Sequence, residues 1–342
     1  MAARLQGIHV NRFSIGFGPV LWKYQGPETE YALRAFPLGG YVGFPDDDPE
    51  SSNIPANDPN LLRNRPVLDR AIVISAGVIA NLIFAYLVLV VQFGGFGVPD
   101  GINYQPGVLV PQVVSQDSAA AVAGIKSGDL ILAIDGKELG ASEQAIPALK
   151  QAIESHPNQP LKLKIQRETE TFSVRVTPVA SADGTGRIGV QLAPSGTTKY
   201  RPAKNIVEVF SLAADRFQAI FVGTVQGFYQ LITNFGDTVG QIAGPVKIVE
   251  QGAKVAQSDS LNLFVFAAII SINLAVINSL PLPALDGGQL AFLLVEWLRG
   301  KPLPTHIQDG VMQTGLMLLL GLGIFLIIRD TTQLEVIQRL FQ

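Results

Sequence analysis

The sequence predicts a multi-pass α-helical membrane protein with a membrane-associated β-hairpin and an inserted extracytoplasmic α/β domain. Three observations carry that prediction. Ala71 to Val91, Leu261 to Leu280 and Val311 to Ile328 are long apolar stretches without one charged residue. At 1.5 Å per residue each covers most or all of a hydrocarbon core about 30 Å thick. A polar region, 98 to 260, separates the first stretch from the second, and strand-like runs precede the first. Only 15% of the 342 residues are charged, against about 25% in soluble chains.

Taken in order, Phe13 to Phe44 holds "FSIGFGPVLWKY" and "TEYALRAFPLGGYVGF" around the turn signal "QGPE". Two such runs predict a hairpin. Gly16, Gly18, Gly39 and Gly40 let its backbones approach closely. "PDDDPESSN" (Pro45 to Asn53) follows as a solvated acidic loop. Residues 1–65 form this first region and 66–97 the first membrane helix. An inserted domain takes 98–200, an amphipathic helix and linker 201–258, and two further membrane helices 259–342.

Positive residues orient the spans. Arg63, Arg65 and Arg70 precede the first, and Arg299 and Lys301 lie between the second and third. Two crossings separate the clusters, so both fall on one side, the cytoplasmic one, and the inserted domain lies outside. Within it, "VLVPQVV", "LKLKIQR", "TFSVRVTPV" and "IGVQL" read as strands. "AGIKSGDLILAIDGKEL" (Ala123 to Leu139) resembles the signature of a PDZ domain, a fold to which an extended peptide adds as a strand. Ile206, Phe210, Ala213, Phe217, Ile220, Phe221, Phe228 and Leu231 recur mostly at steps of three and four. That is an amphipathic helix, lying at the outer membrane surface or packed on the inserted domain.

A net charge of −3 gives no reason to expect nucleic acid as a partner. The absence of cysteine excludes disulfides and thiolate metal sites. "MAARLQGIHVNRFSIGFG" has no apolar signal-peptide core, so targeting comes from elsewhere or from residues before Met1.

"NSLPLPALDGGQL" (278 to 290) raises the functional question. Asp286 is an ionisable residue beside a membrane span, a functional candidate by default. The residues alone favour another role, an N-cap for a helix starting at about Gly287. Asn273 and Asn278 place two amides in the second span, Asn81 one in the first, and Pro281 and Pro283 end the helix. Amides and irregular backbone at that depth belong in a polar pocket within a bundle.

"SINLAVINSLPLPALDGGQL" resembles the NxxPxPxLDGG motif of the site-2 protease family, the intramembrane zinc metalloproteases of the regulator-of-sigma-E type. "FSIGFGP", "ETEYALRAFPLGGYV", "SAGVIANLIFA", the PDZ-like domain and "AGPVKIVE" fall in that family's order, so the resemblance covers nearly the whole chain. It implies a zinc ion held by two histidines of an HExxH helix and by the aspartate of the LDG motif. Three protein ligands leave one position open, and the HExxH glutamate serves as general base. Carried over, Asp286 is the metal ligand and Asn278 helps hold substrate. Asn273, Pro281, Pro283, Gly39 and Gly40 are candidates for the pocket or the substrate path.

The sequence departs from the family in one respect. Its histidines are His9, His156 and His306, and no HExxH is present. The chain as written is therefore expected to be inactive and to lack the two histidine ligands of Zn2+. In the family the HExxH helix runs into a segment like "MAARLQGIHVNRFSIGFGP", so the expectation is a start codon misread at Met1.

The function implied is regulated intramembrane proteolysis of single-span membrane proteins, anti-sigma factors among them, in a bacterial plasma membrane or a plastid membrane. The hairpin would pair with an unwound substrate strand, and the PDZ-like domain would take a peptide or protein ligand. The alternative is a non-catalytic membrane scaffold of the same fold, embedded in the same lipid bilayer.

Overall fold

The computed structural model describes residues 1–47, 54–55, 57–115, 117–181, 184–234, 242–258 and 261–333. Residues 48–53 of the expected acidic loop lie outside them. The chain forms two compact units, 1–95 with 204–342, and 96–203.

The first unit opens with a short helix α1 (Ala2–Leu5) and two long strands, β1 (Arg12–Gln25) and β2 (Glu30–Gly43). The expected hairpin is there, with Tyr24 opposite Tyr31 and Trp22 opposite Leu33, and the structure adds to it. Both strands fold back on themselves. The first part of β1 pairs in parallel with the first part of β2 (Phe13↔Tyr31, Ile15↔Leu33) and in the opposite sense with its end (Phe13↔Val42, Ile15↔Gly40). Four segments thus make one small sheet in the order 20–25, 30–34, 12–15, 40–43.

The fold-back in β1 needs glycine. Gly16 and Gly18 have φ of +86° and +82°, and a Cβ on Gly16 would sit 2.7 Å from the Phe36 carbonyl oxygen. Arg34 fastens the crossing. Its guanidinium donates to Ser14 Oγ at 2.9 Å, to the Gly18 carbonyl at 2.7 Å and to Tyr41 Oη at 3.2 Å. One planar group thereby joins three other segments.

The first long helix, α2 (Val67–Val91), ends in a π-helical turn over Gln92–Phe96. The second unit follows: β3 (Val98–Val113), α3 (Ala119–Val122), β4 (Leu130–Ile134), β5 (Lys137–Glu138), α4 (Ala145–Glu154), β6 (Leu161–Arg167), β7 (Glu170–Val176), β8 (Val179–Ala180), β9 (Gly186–Arg187) and β10 (Val190–Arg201). Its main sheet runs β10-β3-β4-β6-β7 with antiparallel neighbours, and β5 pairs with β4. Along β6 the buried Leu161, Leu163 and Ile165 alternate with exposed Lys162 and Lys164, the period of a half-buried strand. Those three join Val108, Val110, Ile131 and Leu149 in the core. "DG" at Asp135 and Gly136 has positive φ at both positions, as a tight hairpin turn requires.

Among the described residues of this unit, one charged group is buried. Asp129 is fully buried, and both its oxygens accept from Arg167, at 2.7 and 2.8 Å. That hydrogen bond holds the Arg167 guanidinium above its ordinary pKa.

The first unit resumes with α5 (Ile206–Thr233), α6 (Pro245–Ser258), α7 (Asn262–Ser279), α8 (Asp286–Arg299) and α9 (Thr305–Gln333). Helix α7 lies along α2. Its buried residues, Ala268, Ser271, Ile272 and Ala275, follow helical spacing and are mostly small, so the backbones come close. Ser271 Oγ donates to the Asn81 carbonyl at 2.8 Å across that seam.

The amphipathic helix α5 packs on α2 and α7. Tyr86 of α2 sits 6.4 Å from the Phe210 ring and 6.2 Å from Phe217. At the end of α9, buried Asp330 pairs with Arg329 and accepts the Lys247 N–H of α6 at 3.2 Å. Among the described residues three helices, Val67–Phe96, Asn262–Ser279 and Thr305–Thr332, are long and apolar enough to cross a membrane.

Two stability predictions rest on these guanidinium groups. Arg167→Ala leaves the buried Asp129 carboxylate uncompensated and is expected to cost about 3 kcal/mol, read as faster amide exchange in β4 and β6. Arg34→Ala strands the buried Ser14 hydroxyl at a cost of about 1–3 kcal/mol. Faster exchange confined to residues 12–43 is the expected sign.

Candidate functional site

Helix α7 ends at Ser279, and Pro281 and Pro283 follow within four residues. Proline cannot extend a helix, so the chain must turn. Short bonds within the turn satisfy part of the freed backbone. Leu282 N–H donates to the Leu280 carbonyl at 2.7 Å, and Leu285 N–H to the Leu282 carbonyl at 3.3 Å. Ala284 adopts φ +69°, a strained conformation for a residue with a Cβ, costing about 1–2 kcal/mol.

The new helix then starts one residue earlier than the cap reading expects. Helix α8 begins at Asp286 itself, Leu285 is the capping residue, and no side chain caps the end. The Leu285 carbonyl takes the N–H groups of Gly288 and Gln289, at 3.0 and 3.3 Å. Asp286 therefore stands in the first helical turn, where its charge favours the helix dipole, and its carboxylate is not spent on a cap. An N-cap side chain bonds the amides two and three residues ahead, and Asp286 lies one place too far into the helix for that.

The half-buried carboxylate faces α2. A Cβ built on Gly77 would lie 3.5 Å from Asp286 Oδ2, within ordinary contact distance. Asn81 lies one turn further along α2 on the same side. A buried-side ion pair, Arg70 with Glu296, ties the start of α2 to the later part of α8. Sequence reasoning read Arg70 only as a marker of orientation and passed over Glu296; a charged residue inside an otherwise apolar helix was the signal.

The other expected site residues are distributed more widely. Asn273 and Asn278 are half-buried on α7, and five residues of helix put them about 140° apart, on different faces. No hydrogen bond joins either amide to Asp286 among the described residues. Pro281 is exposed, whereas Pro283 is half-buried against α9. Gly39 and Gly40 lie in β2, away from the turn in sequence, and a Cβ on Gly40 would sit 2.4 Å from the Ser14 carbonyl oxygen.

The histidines do not converge on Asp286. His9 Nε2 is 3.7 Å from Asp58 Oδ1, His156 Nδ1 is 2.8 Å from the Ala152 carbonyl, and His306 is exposed in α9. Among the described residues no three His, Cys, Asp or Glu side chains are grouped to hold a metal. Zinc needs three or four such ligands. The described residues therefore offer one carboxylate of a set and do not by themselves make a zinc site.

The sequence matches peptidase family M50 over residues 1–322. The chain belongs to that family, the site-2 proteases. A Nostoc sp. protein named "Putative zinc metalloprotease" is 63% identical over 100% of this chain and 94% of its own length. The chloroplastic membrane metalloprotease ARASP of Arabidopsis thaliana is 50% identical over 99% of this chain and 76% of its own. The regulator of sigma-W protease RasP of Bacillus subtilis is 28% identical over 100% and 94%. Among solved structures, the PDZ domain of a Listeria innocua SdrC-like protein matches 25% of this chain and 92% of its own, at 26% identity and TM-score 0.22. With three apolar helices and relatives named as membrane and zinc metalloproteases, this is a membrane protein of a metalloprotease family.

The turn is expected to tolerate no side chain at its glycines. A Cβ on Gly287 would lie 2.2 Å from the Leu280 carbonyl oxygen, and one on Gly288 would lie 2.3 Å from that of Leu282. Both neighbours are backbone, so Gly288→Ala forces the turn to move, at about 1–3 kcal/mol. A lowered melting temperature in detergent is the expected reading.

Proposed function

We propose that this protein is a membrane-embedded zinc metalloendopeptidase that cuts single-span membrane proteins, with Asp286 supplying one metal ligand. The observation that carries the reading is the state of that carboxylate. It sits at the head of α8 with no capping role and faces a glycine of α2, inside a motif matching the family's LDG sequence. A buried-side carboxylate without such a role is costly unless something cationic partners it.

His9, His156 and His306 are placed away from Asp286, so such a site requires two imidazoles and a general base that these residues do not supply. Asn278 is assigned to hold substrate, with Asn273, Pro281 and Pro283 lining the pocket and Gly39 and Gly40 on the substrate path. The small sheet of β1 and β2 presents two open edges to which an unwound strand can add. The second unit is read as PDZ-like, a peptide-binding screen outside the cytoplasm, with both clusters of positive residues on the cytoplasmic face.

Anti-sigma factors are the proposed substrates, supported by the sigma-W regulator among the relatives. The membrane is a bacterial plasma membrane, with a plastid membrane as the alternative supported by the chloroplastic relative. The second reading, a scaffold without metal, rests on the absence of a three-ligand cluster among the described residues.

Two measurements separate the readings. Mass spectrometry of the native N-terminal peptide should find residues upstream of Met1 that include HExxH; a native start at Met1 establishes the scaffold. In the protein carrying HExxH, Asp286→Ala should abolish cleavage of a single-span substrate and lower bound zinc. Full activity in that variant would overturn the assignment of Asp286.

A further inference from the structure

The turn carrying Asp286 is held from a second direction, by the last long helix. Gly315 lies near the middle of α9. A Cβ there would be 2.2 Å from Pro283 Cβ, 2.7 Å from its carbonyl carbon and 2.8 Å from its carbonyl oxygen. The helix backbone therefore rests directly on Pro283. Three residues earlier, on the same face, Met312 Sδ accepts the Ala284 N–H at 3.3 Å. Ala284 is the strained residue of the turn, and its N–H has no other acceptor among the described residues. Left-handed backbone at a non-glycine residue persists only where the surroundings over-determine it. Met312 and Gly315 are those surroundings.

We infer that Met312 and Gly315 are positioning residues for Asp286. They fix Ala284 and Pro283, two and three residues before the carboxylate, and thereby set how it faces Gly77. Neither residue touches the reacting atoms. A methionine here does more than fill space, since a leucine of similar volume has no acceptor for the Ala284 N–H. The catalytic consequence rests on the reading of Asp286 as a ligand; the geometric claim does not.

The chain has no cysteine, so Gly77→Cys with Asp286→Cys adds the only two thiols. In membranes holding the full chain, a short bis-methanethiosulfonate linker should join them quickly. Adding Met312→Ala or Gly315→Val should slow the joining about tenfold, as the turn leaves its strained state. Met312→Leu tests the acceptor alone, and Gly315→Ala serves if the valine variant fails to insert. Ala284→Gly should restore the rate in the Met312→Leu background, because glycine adopts the same φ without strain. A merely structural role for Met312 would give no such rescue.

With Asp286 intact and HExxH present, Met312→Leu should lower kcat by up to about 100-fold while leaving KM unchanged. Unchanged joining rates in the Met312→Leu and Gly315→Ala chains would overturn the inference. Should Asp286→Ala leave cleavage intact, the ligand assignment fails, and the joining rates still decide the geometric claim.

Discussion

A helix that stops within an apolar bundle must settle its freed backbone groups inside the protein, and the turn between Leu280 and Gly288 does so by packing backbone on backbone. The Leu280 and Leu282 carbonyls come so close to Gly287 and Gly288 that only hydrogen fits between them. Three features follow. Leu285 becomes the last residue before α8, Asp286 the first within it, and the carboxylate is left over for another partner. The last helix accommodates that turn with a glycine of its own, Gly315.

Arginine recurs where separate pieces of chain must be held in register. Arg34 joins the segments of the folded-back sheet, Arg167 closes on Asp129 in the second unit, and Arg70 reaches Glu296 between two helices. A planar guanidinium with five donors suits each place, because it satisfies several acceptors in fixed directions. The small-residue seam between α2 and α7 works by other means, through close approach and one hydroxyl bond. The arginine ties lie in strands and near helix ends, and the apolar seam lies in the span.

The spans were legible because charge-free length is nearly sufficient to specify them. The first helix extends beyond its charge-free stretch: α2 starts at Val67, ahead of Ala71, and Asp69 and Arg70 are paired with Arg65 and Glu296 within it. The alternation of Leu161, Leu163 and Ile165 identified β6 from the sequence. The hairpin was legible at "QGPE", but its folding back was not, since pairing between segments of the same two strands leaves no period of its own. Gly16 and Gly18 hinted at bends without naming partners. The local geometry expected of Asp286 differs from the one observed. An aspartate before two glycines looks like a cap, and the helix began one residue too early for it to be one. Met312 and Gly315 were invisible because a methionine and a glycine in an apolar run carry no chemical signal.

The ion pair of Arg70 and Glu296 joins residues 226 positions apart, whereas the pairs within the first sheet are all drawn from residues 12–43. A nascent chain can complete the sheet soon after residues 12–43 are made, since short loops close at little entropic cost. It cannot bring α8 to α2 until Glu296 has been made, 226 positions after Arg70. The Asp286 carboxylate thus reaches α2 only after the sheet is complete, and a chain cut before α8 carries the early sheet without that contact.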